Sequence, residues 1–374
     1  MPTNGGSLGL TRLMSDLEEL LSESRGSVER RLGSTLETVR ADRLVLFGAG
    51  NVCRDALRLL AAHGIRPLAV LDDTLAKQGT RIEGVPILPV ADRPADTTAI
   101  VTVHNPRHHH PSSVARLGGN VLSFMHLPWL LSGSDFLHAT NPLSYFEHSD
   151  EIAVLYDGLE DERSRQCLVE QLAFRVRLDW SCLKTDPDPY FPDDVPLPLS
   201  QPVSFIDAGA YDGDTLAMFA ARAARPRAAI AIEPDPKNFV VMERFAADLP
   251  FQVQCLNVAV GAEKGALTFR ATGDMSASFD AGGNITVPVT TLTELMAALP
   301  YDPLYVKFDI EGAERSVLDA SVDVLRTRRP ALAVSVYHAP FEIFEIPNLL
   351  RALGYKVWLR NHGIDGADLV AYAI

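Results

Sequence analysis

Four stretches of this chain carry residue types that could do chemistry. The first runs Asp207-Ala208-Gly209-Ala210-Tyr211-Asp212-Gly213-Asp214-Thr215, behind apolar Val203, Phe205 and Ile206. Such an order reads as a buried strand turning into a helix. Glycines at that turn let backbone approach a ligand, because no Cβ intervenes. The second is Glu233, twenty positions after Gly213 and directly behind Ala228–Ile232. An acid so placed accepts hydrogen bonds from ribose hydroxyls. The third, Asp309-Ile310-Glu311-Gly312-Ala313-Glu314, follows Leu304–Phe308, and the fourth, Tyr337-His338, follows Ala331–Val336. The chemistry would be that of a nucleoside cofactor beside carboxylates and an imidazole able to move a proton.

These residues need a scaffold, and the chain downstream of Val203 supplies the pattern for one. Strand and helix alternate there, which predicts a mostly parallel sheet with crossover helices. Strands are expected to end at Asp207, Glu233, Asp309 and near His338, and a third strand, Phe251–Val260, to pass Asn257. Open parallel sheets bind ligands at those strand ends. The structural alternative is that strand-end polar residues only cap helices and turns. Leu267–Phe269 and Ile285–Val289 read as an inserted hairpin, and Thr291-Leu292-Thr293-Glu294 as a capping box. Gly354 should stop a helix before a final strand pair, Tyr355–Leu359 and Leu369–Ala373.

Upstream, Arg43-Leu-Val-Leu-Phe-Gly48-Ala-Gly50-Asn-Val-Cys53 repeats the strand–turn–helix order, with a further strand to Leu71 ending at Asp72 and Asp73. Cys53 stands where a Rossmann turn has its third glycine; a small residue can serve the packing there, so the fold is expected and the ligand is left open. Ile82–Ile87 resembles a segment of the small Rossmann domains of sugar-modifying acyltransferases. Ala99–Val103 should be another strand, and His104 with His108–His110 a solvated loop rather than a metal site. Leu10, Leu13, Met14, Leu17, Leu20 and Leu21 share one helical face. That hairpin could dimerise the protein or pack on its own neighbour. Leu155–Trp180 reads as one helix, and Asp186–Pro202, with six prolines, as a loop that could pass over a pocket. The expected organisation is thus a helical segment (1–40), a Rossmann-like α/β domain (41–140), a helical linker with a Pro-rich loop (141–202) and an α/β catalytic domain (203–374).

The chain has 374 residues, 47% hydrophobic and 22% charged, with a net charge of −14. That charge argues against a nucleic-acid partner, since phosphate binding needs a basic surface. The four cysteines are scattered, which fits a reduced, cytoplasmic setting without a zinc or disulfide framework. No apolar run approaches the ~20 residues that span a bilayer.

Phe205–Thr215, Ile232-Glu233-Pro234, Val306-Lys307-Phe308-Asp309-Ile310-Glu311-Gly312-Ala313-Glu314 and Ser335-Val336-Tyr337-His338 together resemble the FkbM family of S-adenosylmethionine-dependent methyltransferases. The resemblance covers about residues 150–374, and longer bacterial members also carry a Rossmann-like module in front. It implies a seven-stranded class I methyltransferase sheet and methyl transfer to oxygen, often of a sugar. Asp207, Gly209, Tyr211, Gly213 and Asp214 would cradle the methionine end of the cofactor, Glu233 would take the ribose hydroxyls, and Asn257 would lie at the adenine edge. Asp309, Glu311 and His338 would face a small-molecule or glycan acceptor, with Glu314 structural. A sugar hydroxyl is a weak acid, so a base is expected: His338, or Asp309, without a metal. The alternative is a divalent cation held by Asp309 and Glu311. Two rival readings remain: an NAD-dependent oxidoreductase using the Gly48–Gly50 turn, and a non-enzymatic nucleotide-sugar-binding protein.

Overall fold

A computed structural model describes residues 14–41, 43–103, 116–270, 278–279 and 285–374. Leu10, Leu13, His104, His108–His110 and the segment Met275–Ala277 lie outside the described residues. Three sheets are built. The first has six strands: β1 (Leu44–Phe47), β2 (Ala69–Leu71), β3 (Arg81–Ile82), β4 (Val85–Leu88), β5 (Thr98–Val101) and β6 (Val121–Ser123), in the order β3-β4-β2-β1-β5-β6. Only β3 pairs antiparallel. Its central strands are buried along their whole length, the pattern of a parallel sheet covered on both faces. Cys53 is fully buried in the helix Asn51–Ala62, so it serves packing, as the small residue at that turn should.

The second sheet holds the chemistry. It comprises β7 (Pro202–Ala208), β8 (Arg225–Ile232), β9 (Gln252–Leu256), and, further along the chain, β14 (Leu304–Phe308), β15 (Ala331–Ser335), β16 (Val357–Asn361) and β17 (Leu369–Ala373). Between them, β10 (Ala259–Val260), β11 (Gly265–Arg270), β12 (Ser278–Phe279) and β13 (Ile285–Thr290) form a small sheet around the expected hairpin β11–β13. The seven strands lie in the order β16-β17-β15-β14-β7-β8-β9, parallel except for β17. The strand order therefore reverses between β7 and β14, and an open α/β sheet binds its ligand at the carboxyl ends beside such a reversal. Asp207 on β7 and Asp309 just past β14 stand on either side of it.

Two elements differ from the sequence reading. The helix expected over Leu155–Trp180 is two, Ser149–Gly158 and Glu162–Arg177. Between them Leu159 bridges to Val357, and the Asp161 side chain caps the second helix by accepting from the Ser164 N–H. The strand expected over Phe251–Val260 breaks at Asn257, where the chain leaves the second sheet for the third. The capping box is present, with Thr291 accepting from the Glu294 N–H, and Gly354 takes the left-handed conformation that ends the helix Glu342–Ala352. Leu17 and Leu20 of the N-terminal helix are buried in the core that the second sheet shares with Tyr145, Leu155, Leu168 and Leu172. Leu21 packs against the same core, whereas Met14 on that face stays 40% exposed.

Candidate active site

Register places the first pair of groups. Lys307 on β14 is the Cα partner of Asp207 on β7, so both side chains leave the sheet on one face. Neither has water to turn to: Asp207 is fully buried and Lys307 is 2% exposed. Lys307 Nζ lies 3.3 Å from Asp207 Oδ1 and 4.0 Å from Asp309 Oδ2, and it donates to the Gly209 carbonyl. Burial pushes the Asp207 carboxyl up to about 6 against the pull of Lys307. Burial also opposes the charge on Lys307, but Asp207, Asp309 and Asp214 outweigh it and hold the ammonium above its ordinary value. Gly209 sits between these charges with φ +82°, and a Cβ there would lie 1.8 Å from the Asp309 carbonyl oxygen. The turn can approach β14 this closely only as glycine.

Glu233 forms the second group. It is 6% exposed, and its carboxylate accepts from the Tyr211 N–H at 2.9 Å and the Asp235 N–H at 2.8 Å. The glycine turn is thereby closed onto the end of β8. Burial raises the Glu233 carboxyl to about 7, in spite of those two donors. Each oxygen retains a second lone pair. Asn257 is brought to the same corner, with its Nδ2 donating to the carbonyls of Glu233 and Pro234. Gly213 caps the helix Asp214–Arg222, whose first turn carries Asp214.

The third group surrounds His338, whose side chain is 3% exposed. Its Nδ1 lies 2.9 Å from Glu314 Oε1, and its Nε2 lies 3.5 Å from Asp309 Oδ1 and 3.8 Å from Glu311 Oε2. Burial disfavours the imidazolium, but Glu314, Glu311 and Asp309 overcome this and raise His338 well above its usual value. Asp309 is held ionised: burial is opposed by Lys307, His338 and Tyr190. Glu314 is fully buried and braces the turn after β14, accepting from the Ile310 and Gly312 N–H groups. Glu311 holds φ +56° at that turn. The structure thus assembles Asp309, Glu311 and His338 at one place, and Asp207, Gly209, Tyr211, Gly213, Asp214, Glu233 and Asn257 along the neighbouring strand ends.

Besides Lys307, two residues here had no role in the sequence reading. Tyr190, from the Pro-rich loop, donates to Asp309 Oδ2 at 2.9 Å and places its ring 5.1 Å from Lys307 Nζ. Its loop is pinned along its length. Asp186 pairs with Arg163, Asp188 and Asp193 with Arg222, and Asp194 with Arg360, while the Tyr190 backbone bonds to the Tyr372 and Tyr305 hydroxyls. Glu342, 3% exposed, accepts from the Ala339 N–H, and burial raises its carboxyl to about 7. The earlier glycine turn is occupied by the chain's own groups, since Asp72 accepts from the Ala49 and Thr74 N–H groups and pairs with Lys77 at 3.1 Å.

Residues 207–357 match the methyltransferase FkbM domain family. Among solved structures, the chain is similar to the methyltransferase FkbM of Methylobacillus flagellatus KT, at 20% identity and a TM-score of 0.67, covering 98% of this chain and 99% of that one. At that identity the likeness is one of fold. Weaker likenesses include fibrillarin of Aeropyrum pernix, crystallised with bound S-adenosylmethionine (14% identity, TM-score 0.32, 48% of this chain and 69% of that one). Another is a precorrin-6y C5,15-methyltransferase of Geobacter metallireducens (13% identity, TM-score 0.30, 51% and 93%). The curated proteins give no match. The strand order and the long likeness together give the fold as that of class I methyltransferases.

Proposed function

We propose that this chain, whose residues 207–357 match the methyltransferase FkbM domain family, is an S-adenosylmethionine-dependent methyltransferase that acts on a hydroxyl of a sugar or glycoconjugate. The observation that carries the reading is the pairing, across the strand reversal, of a ribose-type acid with a proton-handling cluster. Glu233 closes the glycine turn at one strand end, and Asp309, Glu311 and His338 converge at the other.

The residues present fit the cofactor. Asp207 Oδ2 is buried without a hydrogen-bond partner among the described residues, and Oδ1 has Lys307 Nζ at 3.3 Å, so a ligand ammonium, directly or through water, would satisfy the remaining acceptor capacity. Glu233 offers its remaining lone pairs to two ribose hydroxyls, and Asn257 fixes the strand end where an adenine edge would rest. When bound, S-adenosylmethionine supplies a methyl carbon on a sulfonium, whose S–C bond breaks as the O–C bond forms. The protein's own share is positioning and proton removal. Against burial, Glu314, Glu311 and Asp309 hold His338 as the imidazolium, so the ionised Asp309 takes the proton of the acceptor hydroxyl, and Tyr190 and Tyr337, at 2.9 and 3.4 Å from the Asp309 oxygens, set the orientation of that carboxylate.

Tyr190→Phe removes a hydrogen bond to a charged acceptor, an interaction worth about 1.5–3 kcal/mol. Turnover should therefore fall by roughly one to two orders of magnitude, while affinity for S-adenosylhomocysteine stays put. An unchanged turnover number would separate Tyr190 from the chemistry. The reading as a whole is tested by transfer of a labelled methyl group from S-adenosylmethionine into fractionated cell-surface glycans and nucleotide sugars. Label should enter an alkali-stable methyl ether in a carbohydrate fraction. Binding of NADH with none of S-adenosylhomocysteine would overturn it.

A further inference from the structure

We infer that Asp309, Glu314 and His338 form a binding site for a divalent transition-metal cation of the manganese, iron, cobalt or zinc kind, with Glu311 at its mouth. This rests on the reading above only for the cation's role, not for its place. One donor atom from each of the three side chains lies within 4.8 Å of the other two. A first-row cation holds its ligands at about 2.0–2.2 Å, so opposed ligands stand about twice that apart, and small side-chain shifts suffice to close the set. Neither ring nitrogen of His338 has a hydrogen-bond partner among the described residues, although the side chain is 97% buried and Glu314 Oε1 is 2.9 Å from Nδ1. A buried polar ring left without an in-line partner calls for a ligand.

The charge count points the same way. Asp309, Glu311 and Glu314 surround one imidazole, and Lys307, the nearest ammonium to Asp309, lies closer to Asp207 than to Asp309. Even an imidazolium leaves the cluster negative. One imidazole with carboxylates suits borderline cations better than magnesium or calcium, whose ligand sets are all oxygen. Access comes from the Asp309 and Glu311 side, since those side chains are 25% and 37% exposed while Glu314 and His338 are buried. Three protein ligands leave positions open, and an acceptor hydroxyl taking one would lose its proton more readily. That role continues the expected chemistry of the site with a cation where a bare base was expected.

The test titrates the EDTA-treated full-length protein with Mn2+ and follows the free-ion signal by electron paramagnetic resonance. Co2+ replaces Mn2+ in a parallel optical titration. One Mn2+ per chain is expected, and His338→Asn and Asp309→Asn should each weaken it at least about tenfold. Melting curves on both variants check that they fold. Glu314→Gln is a poorer probe, because Glu314 also braces the turn at Ile310 and Gly312. No Mn2+ binding by the wild type, or equal binding by folded variants, overturns the inference. Calorimetry with S-adenosylhomocysteine on the same samples separates the two claims. Its binding without Mn2+ binding refutes the cation alone, whereas Mn2+ binding without it supports the cation site and refutes the cofactor reading.

Discussion

Lys307→Met is expected to destabilise the protein by about 3–5 kcal/mol, the usual cost of leaving a buried charge without its partner. At roughly 2–4 °C per kcal/mol for a domain of this size, the melting temperature should drop by ten degrees or so. The reason is local. Asp207 is fully buried and meets its one close cation among the described residues in Lys307, and Asp309 shares the same ammonium at longer range. The loss should depend on pH in a definite sense. Burial already raises Asp207 to about 6, above its value in the unfolded chain. The folded state therefore favours the protonated acid, and that advantage fades as pH rises through the folded value. Without Lys307 the raised value climbs further, so the variant should melt closest to wild type at pH 5 and furthest below it at pH 8. Adding Asp207→Asn should restore part of the stability, since the pair is coupled. Melting curves at the two pH values check this, and a drop of only a degree or two at pH 8 would show that the pair is not held as a buried ion pair.

The second large effect concerns Glu233. Its carboxyl is raised to about 7, by burial first, against two backbone donors. In the ligand-free protein it therefore holds a proton over much of the range below pH 7. Ribose hydroxyls donate best to the ionised form, so cofactor binding at the proposed ribose site would expel that proton. Affinity for S-adenosylhomocysteine should rise by up to about tenfold per pH unit from pH 5.5 towards 7 and then level off. Glu233→Gln should bind roughly 10–150-fold more weakly, through loss of charge-assisted hydrogen bonds worth about 1.5–3 kcal/mol, and with no such slope. Isothermal titration across pH gives both curves. A flat wild-type profile together with a tight Gln variant would remove Glu233 from the ribose site.

Much of the frame could be read from short-range pattern. Leu304–Phe308 was expected as a strand and is one residue for residue, because a short apolar run between turn signals has few other uses. Asp207, Glu233, Asp309 and His338 were expected at strand ends for the same reason. What escaped was carried by long-range contacts. Lys307 interrupts a buried strand, and nothing within ten residues says that it faces Asp207, one hundred positions earlier; only the register of β7 on β14 does. Tyr190 lies in a proline-rich loop without periodicity, 119 positions from the Asp309 that it touches. The single long helix expected over Leu155–Trp180 failed at Asp161, a good N-cap that sits inside an otherwise helical pattern. The strand through Asn257 failed because one apolar run serves two sheets in succession. An alternation rule counts residues, not sheets.

The pinned loop over Asp309 has a bearing on binding entropy. Holding sixteen or so residues in one conformation costs about 1–2 kcal/mol each, and here that ordering is completed when the chain folds. Arg163, Arg222 and Arg360, with the Tyr372 hydroxyl, anchor the loop before any acceptor arrives. Tyr190 is therefore preorganised against Asp309, and on the proposed reading an incoming hydroxyl would meet a wall already in place rather than a lid that must first close. The free energy of acceptor contact would then be left for alignment with the methyl group, the geometry on which the rate of the proposed in-line transfer would most depend.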